Sequence, residues 1–135
     1  MRKFGLVLRW LFGLFYLYVG VSWFVHKLIG KPWVTPPEPP LAKAITSTFS
    51  ASGVVDPFIA ATCLVGGALL LVQCTAPLGI AVLAPLVTGI FLFHVFLTGS
   101  VVWGSLHLGV LAVLARLHRS AFRPLWSYSG EDPVR

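Results

Sequence analysis

Two imidazoles stand in the most apolar stretches of this chain. His94 lies in IFLFHVFLTGS and His107 in VVWGSLHLGVLAV. A titratable side chain in hydrocarbon is costly and is a candidate for function by default. Thr98-Gly99-Ser100 between them reads as a tight turn. At ~1.5 Å rise per residue, both imidazoles fall roughly 7–12 Å from that turn on an antiparallel helical hairpin. His26 closes the first apolar run at the same end, Asp56 opens the second there, and Cys63 lies about two turns deeper. Titratable or soft groups from four segments therefore gather toward one half of the molecule. Three chemistries suit them. His94 and His107 could be axial ligands of a haem or another metal-containing cofactor. They could hydrogen-bond a quinone or a lipid head, since imidazole passes protons near neutral pH. The polar patch could instead bind a partner's helix.

Each residue also fits a plain structural role. A histidine bonded to a neighbouring helix contributes about 1 kcal/mol in a membrane. His26 suits a solvated interface, Asp56 an N-cap, and Cys63 a small packing position. Ser100 and Ser105 neighbour the histidines, but no nearby carboxylate could orient a base as a hydrolytic triad requires. The scattered Cys and His lack structural-zinc spacing, and no CxxC motif is present. Cys63 and Cys74 read as one helix. They would then be about 16 Å apart, too far for a disulfide.

Those residues need elements to hold them. Of 135 residues, 57% are apolar and 10% charged. A soluble surface needs about 25% charged residues, so the chain reads as an all-α integral membrane protein. The spacing predicts a four-transmembrane-helix bundle with spans of about 4–25, 57–74, 77–97 and 101–117. The first run exceeds a signal-peptide core and has no small-residue cleavage site, so it is expected to be retained. Lys31–Pro40 (KPWVTPPEPP) reads as an extended loop. Leu41, Ile45 and Phe49 recur every four residues, which fits a short interfacial helix or a simple helical turn in the first outer loop. Pro85 is expected to kink the third span. Gly66 and Gly67 permit close helix contact. The membrane domain would cover 1–126 and the polar tail 127–135.

The net charge of +6 is concentrated at the chain ends beside apolar segments, which points to lipid and away from nucleic acid. Arg2, Lys3, Arg9, Arg116, Arg119, Arg123 and Arg135 would share one side, and Lys27, Lys31 and Lys43 the other. The positive-inside rule then places both termini in the cytoplasm; the expected membrane is a bacterial inner (cytoplasmic) one. Arg9 is expected to snorkel to the headgroups. Trp126 and Tyr128 suit interfacial anchors. Arg116, Arg119, Arg123, Trp126, Gly66 and Gly67 are the expected contacts for lipid or partner.

The run TAPLGIAVLAPLVTGIFLFHVFLTGS, Thr75 to Ser100, resembles the DoxX-like family of small four-helix membrane proteins. Thr75, Pro77, Leu78, Pro85, Ile90, Leu92, Phe93, His94, Phe96 and Leu97 carry the likeness. So do Pro57, Gly66, Gly67, Leu69, Leu70 and Leu71 in VVDPFIAATCLVGGALLL. The chain departs from the family at Cys63, where members often have Glu, and at Gly89, where they often have Asn. The resemblance implies a membrane subunit near quinone or thiol redox chemistry, with His94 as the family-linked residue. The expected function is an accessory subunit packed within a larger respiratory or photosynthetic complex. The alternative is a quinone- or haem-linked oxidoreductase component using His94 and His107.

Overall fold

The computed structural model describes residues 2–31 and 37–125, and among them it is all-helical. Helix α1 spans Arg2–Leu28, α2 Pro40–Ser52, α3 Val55–Leu71, α4 Ala76–Phe93 and α5 Val101–Leu117. A short α6, Arg119–Phe122, and a 3₁₀ turn, Arg123–Leu125, follow. Residues 32–36 of the expected 31–40 loop, together with Trp126, Tyr128 and the polar tail, lie outside the described residues, and Pro40 opens α2.

Helices α1, α3, α4 and α5 form an antiparallel ring, and glycines set its tightest contacts. A Cβ on Gly67 would stand 2.5 Å from the Leu17 nitrogen and 2.7 Å from the Gly13 carbonyl oxygen. One on Gly20 would meet the Ala60 carbonyl at 2.7 Å, so α1 and α3 run antiparallel with their backbones nearly touching. Gly79 sits against Leu70 and Gly66 where α3 meets α4. Gly104 sits against Phe91 and His94 where α4 meets α5. Small residues serve this purpose where hydrocarbon removes the hydrophobic drive between helices and leaves packing to hold them. Gly5 rests on Leu117, so the start of α1 and the end of α5 share one end of the bundle.

The core is narrow: Phe12, Tyr16, Cys63, Leu70, Ile80, Leu83, Val87, Leu111 and Leu114. The outside is also apolar. Trp10, Leu14, Tyr18, Val65, Leu78, Phe96 and Val102 are exposed, Val102 to 83%. Helices apolar on every face belong in lipid or a large core. Two helices, Lys3–Leu28 and Ala76–Thr98, are long and apolar enough to cross a membrane. The count becomes three if α2 and α3, bent by 89° at their junction, are one broken span. Helix α5 is apolar but shorter.

Two local expectations change. Asp56 is not the N-cap of α3: Val54 holds that position without a side-chain bond, and Asp56 lies in the first turn. Its carboxylate accepts a hydrogen bond from Ser50 of α2 instead (2.7 Å). Cys74 lies past the end of α3, in the turn to α4, and both cysteines are free. Helix α4 runs Ala76–Phe93 with Pro85 inside it, on its exposed side. Its last turn widens into a π-helical segment, His94–Thr98, which ends at Gly99 with φ 70°. The short helix expected in the first outer loop is α2: it buries Ala42, and of its apolar stripe Leu41 (61%) and Phe49 are exposed and Ile45 is half-buried.

Candidate functional site

Helix α5 meets α1 only lightly along its length, and an open seam remains between them. Leu8, Leu11, Phe12, Phe15, Trp103, Leu106, His107 and Val110 line a groove of about 210 Å³ there. His107 is 6% exposed. Its ring centroid lies 4.7 Å from that of Trp103, 5.2 Å from Phe15, 6.0 Å from Tyr16 and 6.1 Å from Phe12. Nδ1 lies 3.0 Å from the Trp103 carbonyl oxygen one turn earlier. A carbonyl only accepts, so Nδ1 carries the proton. In the neutral ring Nε2 then keeps a lone pair, able to accept a bond or bind a metal.

His94 is half-buried and opens the π-helical segment. Such segments frequently mark functional positions. Its Nδ1 lies 2.8 Å from the Ile90 carbonyl oxygen, the same local arrangement as in His107. Its ring contact is Phe93, at 5.7 Å between centroids. The rings around His107 belong to α1 and α5, and His94 does not line the seam. The two imidazoles therefore share a hairpin and a tautomer preference, while only His107 faces α1. No group of three or more His, Cys, Asp or Glu converges among the described residues.

Arg9 does not snorkel. It is 3% exposed, and its Nε and Nη1 are buried without a hydrogen-bond partner. Its phase on α1 explains this. Arg9, Phe12, Gly13, Tyr16 and Gly20 form the buried stripe of that helix, so the side chain starts inside the ring. The Tyr16 hydroxyl and His26 Nδ1 are likewise buried and unpartnered. Glu38 and Asp56, the acidic groups of the described residues, lie at the opposite end from Arg9.

A larger cavity, about 600 Å³, opens at that opposite end between α1, α2 and α3. Val19, Trp23, Ile59 and Ala60 line its deeper part, and Glu38, Lys43, Thr46, Ser47, Ser50 and Asp56 its rim. The 89° bend makes α2 a roof over it. Thr46 Oγ1 donates to Glu38 Oε2 (2.7 Å), as Ser50 does to Asp56. Sequence reasoning singled out Asp56 but missed Glu38, Lys43, Thr46 and Ser50 as a group. The available signal was the polar face of α2 opposite the two acids that share its side.

The expected contact residues divide. Arg116, Arg119 and Arg123 are exposed at the end where α1 begins. Gly66 and Gly67 are buried inside the bundle, against Leu83 and α1 respectively, and offer no face to lipid or partner. Trp126 lies outside the described residues. Comparison with protein-family models, curated proteins and solved structures finds no match for the chain.

Proposed function

We propose that this chain is a DoxX-like accessory subunit that crosses a bacterial inner membrane four times, with both termini cytoplasmic. In this reading it packs within a larger respiratory or photosynthetic complex. The observation that carries it is the α1–α5 seam. Elsewhere in the ring, neighbouring helices close on each other through glycine. Here Leu11, Phe15, Trp103 and Leu106 stay exposed beside a closed core. An apolar, aromatic-lined groove of this kind fits a helix from another subunit. Four crossings ask α3 and α5, at 17 residues each, to span about 25 Å. That is slightly less than the usual ~30 Å, and local thinning accommodates it. Of the nine Lys and Arg among the described residues, six fall at the end where α1 begins and α5 finishes, which supports the orientation. A photoreactive amino acid at Leu106, activated in cells, is expected to cross-link one discrete membrane companion. Cross-links to lipid alone would remove this reading.

His107 favours one second reading, a quinone-linked component. The Nε2 lone pair could accept a hydrogen bond from the hydroxyl of a reduced quinone while its tail lies in the seam. Purified protein should then retain extractable quinone, and His107→Ala should lose it. Absence of quinone from the native preparation would end that possibility.

A further inference from the structure

We infer that the cavity beneath α2 binds the head of an aminophospholipid, with Glu38 and Asp56 taking its ammonium and Lys43 its phosphate. Size is the first support: about 600 Å³ lies within the range of small-molecule sites. Polarity is the second. The deep lining is Val19, Trp23, Ile59 and Ala60 on α1 and α3, while the charged groups are at the rim. That gradient matches an amphiphile entering from the bilayer interface.

Charge selects the head. The rim carries two acids and one base, so a purely anionic head meets net repulsion. A simple amine leaves Lys43 without a counter-charge. A zwitterion answers all three. Each carboxylate receives one hydroxyl bond, from Thr46 or Ser50, which fixes its orientation and leaves further lone pairs free. A primary ammonium brings three N–H donors to those lone pairs, and a quaternary choline brings none. The roof also fits a lipid better than a dissolved amine, because Leu41 and Phe49 of α2 point outward, where they can seat in the same interface.

The test is native mass spectrometry of the full chain in mild detergent. Phosphatidylethanolamine, phosphatidylcholine and phosphatidylglycerol of matched acyl chains are offered in equal amounts. Ethanolamine lipid is expected to be retained about tenfold over the other two, the size of one charge-assisted hydrogen bond. In the Glu38→Gln, Asp56→Asn double variant the preference should fall to about twofold or less, with helix content unchanged. Lys43→Gln, on the exposed side of α2, should weaken ethanolamine-lipid retention several-fold without unfolding and provides an independent arm. Equal retention of the three lipids by the native chain would overturn the inference. So would an undiminished preference in the folded double variant, or undiminished retention by Lys43→Gln. Displacement of the lipid by millimolar free ethanolamine would make a soluble amine the ligand and overturn the lipid assignment.

Discussion

At the scale of single residues, helical phase decides what position along the chain does not. Arg9 lies near the start of α1, which suggests a side chain reaching headgroups, yet its register turns it into the ring. Two buried nitrogens without partners cost free energy, about 1–3 kcal/mol for each unmet donor and more for a charged group. Arg9→Met should therefore leave thermal stability in detergent unchanged or raised. A clear fall in melting temperature would mean that the guanidinium has a partner. Glycines behave in the same position-specific way. Gly67→Ala sets a Cβ against the backbone of α1 and should destabilise by about 1–3 kcal/mol. Gly109→Ala meets nothing within 4 Å and should be neutral. Equal melting of the two variants would contradict the packing described. His94 and His107 stood out in the sequence because polar groups in apolar runs are conspicuous. Which of them faces α1 was not legible, since that depends on the rotation of α5 against a helix far away in the chain.

At the scale of elements, the limits of the helices were largely legible. The fourth apolar run was expected over 101–117 and α5 has those bounds. The others shift by a few residues, because proline sits within the first turn of α3 and α4 rather than at a fixed edge. The cap of α3 was misread because Asp56 has a better use than capping: it bonds Ser50 and ties α2 to α3. Helix α2 itself shows as an apolar stripe at 41, 45 and 49, but its direction does not, since the sequence cannot say whether a stripe meets protein or lipid. It buries only Ala42 and is held by few side-chain bonds. Its amides should exchange with solvent at least about tenfold faster than those of α3 in nanodiscs, as expected for a locally opening segment. Protection of α2 equal to that of α3 would show a tighter attachment.

At the scale of the molecule, one composition serves two surfaces. The interior is small because glycine brings the backbones together, and the large apolar side chains are left to cover the outside. Helices that are apolar outside as well as inside suit hydrocarbon surroundings, where backbone groups must be satisfied within helices. The seam arises where the ring fails to close, between α1 and α5, and the cavity where α2 bends over α1 and α3. Neither could be read from the sequence, because both are gaps between elements. The basic cluster at one end was legible: Arg116, Arg119 and Arg123 lie with the start of α1, away from Lys43 on α2.

The most direct test is labelling with a thiol reagent that does not cross membranes, in a Cys74→Ser background where the remaining Cys63 is buried. In intact cells a cysteine at Ser47 on α2 should react from outside, and one at Ser120 on α6 only after the membrane is opened. Reaction of both in intact cells, or of neither until lysis, would contradict a bundle that spans the bilayer with its two ends in different compartments.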